Sequence, residues 1–196
     1  MTTPTEIPIF PLGTVLFPQG QLPLRVFEQR YIEMTKVCIR DDAPFGVCLI
    51  REGKEVGEPA VPYDTGCSAR ILRWDMPQTG MFHLMAGGES IFRILERWTE
   101  KNGLMYAKVE FEELASMPLP AGYGHLADLL ERVIKRVGEE NFPSPVCLDD
   151  AGWVGWRLVE MLPLEAEVRQ RLLEMCDPLA VLNEVQSYIQ SRPPIQ

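Results

Sequence analysis

Apolar positions follow two rhythms along this chain, and the rhythm changes near Leu114–Gly124 (LASMPLPAGYG). Before that point, short apolar runs alternate with glycine and proline, as strands and turns do. The pattern predicts strands over Ile7–Pro11, Phe45–Arg51, Ser68–Asp75, Met81–Gly87, Ser90–Trp98 and Met105–Glu112. Gly87-Gly88 sits between two β-prone runs and predicts a hairpin turn, because glycine reaches positive φ without steric cost. Glu100–Gly103 (EKNG) predicts a second turn on the same reasoning. One helix interrupts the strands, from about Phe27 to Ile39. Phe27, Tyr31, Met34 and Cys38 recur on one helical face, with Glu28, Glu33, Lys36 and Arg40 largely off it.

Beyond the change of rhythm the period is helical. Leu126, Leu129, Leu130, Val133, Ile134 and Val137 form a broad stripe that stops at Gly138, a natural helix end. A second helix follows Asp149-Asp150, either of which can cap its first turn, and ends at Pro163. LEAEVRQRLLEM is a third helix. A fourth begins with Asp177 as cap and Pro178 at the first helical position, where proline's missing N–H costs nothing. The expected organisation is a β-rich lobe with one helix over residues 1–117 and an antiparallel helical lobe over 118–196, an α+β arrangement.

Charge narrows the list of partners. The 196 residues carry a formal charge of −9. That balance argues against a nucleic-acid backbone, which selects for basic faces through counterion release. MTTPTE lacks the basic start and apolar core of a secretion signal, and no apolar run approaches the length of a membrane span. Cys38, Cys48, Cys67, Cys147 and Cys176 are an odd set without CxxC spacing, which reads as reduced cysteines of a cytoplasmic protein.

The search for chemistry is largely negative. His83 and His125, the only histidines, fall in different lobes; one alternates within a strand and the other starts a helix. There is no HExxH and no Cys/His cluster, so no metal is expected, and no GxxxxGK[ST] to hold a nucleotide. No cofactor is implied. GGES at Gly87–Ser90 lacks the second half of a nucleophile elbow. Cys67, following Gly66 in an expected turn, is the best candidate for a reactive thiol, but nothing basic is placed in the sequence to lower its pKa. The adjacent acids Glu112-Glu113, Glu139-Glu140 and Asp149-Asp150 suit solvated or capping roles. No catalytic residue is assigned.

The opening, Ile7–Met34, is apolar yet broken by Pro8, Pro11, Pro18 and Pro23, which implies edge strands and rigid bends around apolar plugs. Arg25, Glu28 and Arg30 can pair where it enters the helix. The order Pro11-Leu12, Val15-Leu16-Phe17-Pro18, Leu22-Pro23-Leu24, Phe27-Glu28 and Arg30-Tyr31 closely resembles the start of the LON N-terminal domain family, the substrate-recognition domain of Lon proteases. FGVCLI at Phe45–Ile50, TGCSARI at Thr65–Ile71, AGGESIFRILE and LPLEAEVRQRLLEMCDPLAVLNEV resemble later family segments in the same order. Two departures stand out: Cys67-Ser68 replaces the usual small pair, and Ile91 stands where a basic residue is common.

The resemblance implies a PUA-like β-pseudobarrel followed by a helical bundle. Lon proteases carry ATPase and Ser–Lys peptidase modules after this domain, and no Walker A motif or Ser–Lys dyad is identifiable here, so the expectation is a non-catalytic module. Its partner would be a polypeptide or another protein, with no nucleic acid and no membrane. Apolar recognition needs accessible apolar side chains with a polar rim. Trp74, Met76 and Met81 around the WDMPQTGM loop are candidates, as are Trp153 and Trp156 at the start of a helix, although each tryptophan also suits core packing. Two other readings stay open: a hydrolase using a thiol or carboxylate pair, and an RNA-binding PUA-like protein.

Overall fold

The computed structural model describes residues 4–114 and 116–191. The chain separates into two compact units, residues 1–113 and 114–196.

The first unit holds β1 (Thr5–Leu12), β2 (Gln21–Val26), α1 (Gln29–Asp41), β3 (Phe45–Glu52), β4 (Val61–Pro62), β5 (Thr65–Gln78), β6 (Met81–Thr99) and β7 (Met105–Phe111). Its strands run in the order β1-β7-β6-β5-β3, and β3 returns to pair with β1 in parallel, closing the ring. Every other pairing is antiparallel. β2 lies outside the ring against the first half of β6.

The prolines of the opening fit this closure. β1 pairs with β7 through Thr5–Ile9 and with β3 through Ile9–Leu12. Pro8 therefore falls where β1 has only β7 beside it, and Pro11 where it has only β3. Each occupies a locally one-sided stretch, which a residue without an N–H tolerates. Pro23 is on β2, whose one partner among the described residues is β6. Edge character holds residue by residue even within a closed ring.

Gly87-Gly88 is not a turn. β6 runs unbroken for 19 residues from Met81 to Thr99, through both glycines, and neither has positive φ. They serve close approach: a Cβ at Gly88 would overlap the Phe17 carbonyl oxygen, and one at Gly87 would press on Leu72. Gly88 exchanges backbone hydrogen bonds with the preceding loop, Gln19 N–H to Gly88 O and Gly88 N–H to Gly20 O, both 2.8 Å. The actual hairpin lies between β5 and β6, where Gln78 faces Met81 and Gly80 supplies φ of +84°. The WDMPQTGM segment is thus mostly strand. The turn at Glu100–Gly103 is present, with Gly103 at φ +83°.

Helix α1 starts two residues later than its apolar pattern suggests and leaves Phe27 half exposed before it. Tyr31, Met34 and Cys38 are buried, together with Ile32, in a core shared with Phe10, Phe45, Phe82 and Leu84. Phe10 stacks on Tyr31 at 4.1 Å. Arg30, 7% exposed, pairs with Glu28 at 3.0 Å and donates to the carbonyls of Gly57 and Gly103. A second core of Ile7, Ile9, Cys48, Phe92, Met105, Ala107 and Val109 contains the stretch where β1, β3, β6 and β7 meet.

The second unit is helical: α2 (Gly124–Val137), α3 (Ala151–Met161), α4 (Ala166–Glu174) and α5 (Pro178–Gln190), with short 3-10 turns at Ala121–Tyr123 and Glu139–Asn141. The caps are as the sequence implies. Asp150 accepts from the Trp153 N–H, and Asp177 from those of Leu179 and Ala180, with Pro178 in the first turn. From Ala151 to Val159, α3 is buried at every residue except Gly152. The one charged residue in that run, Arg157, forms an ion pair with Glu160 at 2.8 Å.

Candidate functional site

The five tryptophan and methionine candidates divide. Trp153 and Trp156 are 2% and 3% exposed, on α3, and offer no surface to a partner. The cause is local: α3 is buried on nearly every side from Ala151 to Val159, and the two indoles, three residues apart, lie on one face of it. Trp74 and Met76, by contrast, are 52% and 47% exposed near the end of the β5–β6 hairpin, with Met81 half-buried beside its tip.

Trp74 and Met76 form one wall of a groove of about 530 Å³. Its other wall is α1, whose Gln29, Ile32, Lys36, Ile39 and Arg40 recur at spacings of three, four, three and one and so form a single stripe. Thr79, Gly80 and Phe82 complete the hairpin side. Trp74 pairs with Leu84 across the hairpin and packs its ring 5.9 Å from that of Phe82, which fixes the indole's inner edge and leaves the other half to solvent. Bulges in the β5–β6 ladder, between Ile71 and Arg73 and between Asp75 and Gln78, bend the hairpin. Nothing in the sequence marks the groove's α1 side, because Ile32 and Ile39 look like ordinary core positions of an amphipathic helix.

The groove's ionisable groups are two cations, Lys36 and Arg40. Arg40 is engaged in a two-pronged bond to Asp41, with both contacts at 2.6 Å, which holds the Asp41 carboxyl below its ordinary range. Glu33, one turn before Lys36, accepts from Gln29 and Asn102 at 3.1 Å each, and these bonds lower its pKa. Lys36 makes no hydrogen bond or ion pair among the described residues.

A second, smaller cavity of about 330 Å³ is lined by Phe10, Leu24, Tyr31 and Arg25, with Glu55 and Val56 also on its wall. The Glu55 carboxylate accepts from the Gly13 N–H, which ties this chain segment back to the opening loop.

The remaining candidates assemble no reactive centre. Cys67 lies within β5, not in a turn, is fully buried, and donates to the Ser68 carbonyl at 3.4 Å. Burial pushes the thiols of Cys38, to about 11, and Cys48 upward, away from thiolate. His83 is exposed on β6, opposite Arg25 and Asp75 in the ladders, and His125 is exposed in the first turn of α2. Among the described residues no group of three or more His, Cys, Asp or Glu side chains is placed to hold a metal ion. None of the described helices is long and apolar enough to cross a membrane.

Comparison with known proteins agrees with the fold and the opening motif. The ATP-dependent protease La (LON) substrate-binding domain family matches residues 6–191. The chain is 30% identical to Lon protease of Anaeromyxobacter dehalogenans (strain 2CP-C) over 138 residues, 69% of this chain and 16% of that protein. It is 24% identical to Lon protease of Syntrophus aciditrophicus (strain SB) over 194 residues, covering 93% of this chain and 24% of the relative. The chain thus spans less than a quarter of the length of these proteases. Among solved structures, a Lon N-terminal domain protein from Xanthomonas campestris superposes with a TM-score of 0.78 at 36% identity, covering 94% of this chain and 98% of that one. The N-terminal domain of Lon protease from Mycobacterium avium complex shares the fold, with a TM-score of 0.68 at 15% identity over 96% of this chain and all of that one. With the match extending from β1 to the end of the last described helix, this chain belongs to the LON substrate-binding domain family.

Proposed function

We propose that this protein is a non-catalytic polypeptide-binding module and that the groove between α1 and the β5–β6 hairpin is where it holds its partner. The observation that carries this reading is the exposure of Trp74 and Met76 over an apolar groove in a chain whose other two assigned tryptophans are buried. A half-exposed indole and a flexible thioether can repack against different apolar side chains, which suits recognition of varied sequences. Large exposed apolar groups are a liability unless something covers them. The family's substrate-binding role supports the same reading. Thiol or carboxylate-pair hydrolysis has little support from a buried Cys67 and scattered acids. RNA binding is opposed by the charge of −9. Five free cysteines fit a reducing compartment such as the cytoplasm.

The test is titration of the intact protein with reduced, carboxymethylated casein, an unfolded chain without secondary structure. Trp74→Ser and Met76→Ser together are expected to weaken binding about tenfold or more, in line with the loss of anchor side chains. Unchanged affinity in the double variant would move the binding surface elsewhere.

A further inference from the structure

The geometry points to a partner of defined chemistry: an extended segment in which a large apolar residue is flanked by a carboxylate, the apolar group entering the groove and the carboxylate meeting Lys36. This inference rests on the groove reading above and adds a charge preference to it.

Three observations combine. The protein as a whole is acidic, yet the ionisable groups lining the groove are both basic. Of the carboxylates nearest on α1, Asp41 is paired with Arg40, while Glu33 accepts from the neutral Gln29 and Asn102 amides and attracts Lys36 through space without forming an ion pair with it. On the hairpin, the Asp75 carboxylate accepts from the Met76 N–H. That leaves Lys36, exposed and midway along the α1 stripe, as the cation available to a ligand. Lys36 is flanked along the stripe by Ile32 and Ile39, so a carboxylate placed there neighbours whatever fills the apolar floor.

Distance decides between the local and the global field. At 0.15 M salt the screening length is about 8 Å, so charges spread over the rest of the surface act weakly on a ligand in the groove. A contact at Lys36 is shorter than that and survives. The two fields also have opposite signs: the overall charge of −9 favours a basic peptide, and Lys36 favours an acidic one. A preference for acid can therefore not arise from net charge.

Three capped peptides test this with the intact protein, each a Phe-Leu pair flanked on both sides by Asp, by Asn or by Lys. The expected order of affinity is Asp above Asn above Lys, with a gap of roughly two- to fivefold at each step, the size of an exposed ion pair. Lys36→Gln should abolish the order, and Lys36→Glu should reverse it; raising salt to 1 M should narrow it. Trp74→Ser should weaken all three peptides alike. Equal binding of the Asp and Lys peptides, with Trp74→Ser still weakening both, overturns the charge preference and leaves the groove reading standing. Indifference of all three to Trp74→Ser, or no binding up to millimolar peptide, overturns both.

Discussion

Trp74 and the pair Trp153–Trp156 are the same residue type in opposite situations. The pair sits in α3, where apolar residues surround the helix and every indole finds neighbours. Trp74 sits on a hairpin that reaches past the ring, with Phe82 as its aromatic neighbour among the described residues. A tryptophan's role is thus set by how much of its element extends beyond the core. Helix α3 is held on several sides by its own unit. The hairpin's β6 arm is paired with β2 from Phe82 to Gly87, while Trp74 and Met76 on its β5 arm face solvent.

Substitutions can break this contrast, the largest effect coming from the buried side. Trp153→Ala should cost about 3–5 kcal/mol in urea denaturation, the range for truncating a buried indole. Trp74→Ser should cost about 1 kcal/mol or less, because only half of its surface is buried. Equal losses at the two positions would remove the distinction.

A glycine pair sharpens the same contrast within the first unit. Gly88→Ala pushes a methyl against the Phe17 carbonyl and should cost about 3 kcal/mol. Gly80→Ala, at the hairpin tip with nothing within 4 Å of its Cβ, meets only the positive-φ penalty, about 1–2 kcal/mol. Melting temperatures of the two variants should differ in that order.

The helical unit also relies on its caps. Asp150→Ala removes the acceptor for the Trp153 N–H at 2.8 Å, and loss of such a cap typically costs about 1 kcal/mol. Asp150→Asn, which keeps an oxygen acceptor, should recover most of it. The smallest effect is chemical. At pH 8, half-buried Cys147 and Cys176 should titrate with a thiol reagent in the folded protein, while buried Cys38, Cys48 and Cys67 react only after unfolding. Fast reaction of all five would mean that the first unit's interior opens readily.

Much of this architecture is legible in the residues. The change from period two to period 3.6, the caps at Asp150 and Asp177, and the glycine at Gly138 are local signals that tertiary contacts left intact. Gly87-Gly88 misleads because glycine serves two purposes, positive φ and close approach, and sequence does not say which. Here the approaching group is the Phe17 carbonyl, about seventy positions earlier, and nothing near the glycines announces it. The groove is half legible for the same reason. Trp74, Met76 and Met81 are prominent in a short stretch, but the facing stripe of Ile32, Lys36 and Ile39 becomes a wall only when the hairpin folds beside α1. Trp153 and Trp156 fit core and surface equally well as sequence, and only the burial of α3 on nearly every side decides for the core.

If the α1–hairpin groove takes polypeptide, a bound chain must cover both of its walls. Hydrogen exchange of the intact protein, with and without saturating reduced and carboxymethylated casein, tests it most directly. Occupancy of the groove should add protection over residues 29–40 and 74–82, with α3 unchanged. Casein-induced protection confined to the helical unit, or casein binding with no change along α1 and the hairpin, would contradict it.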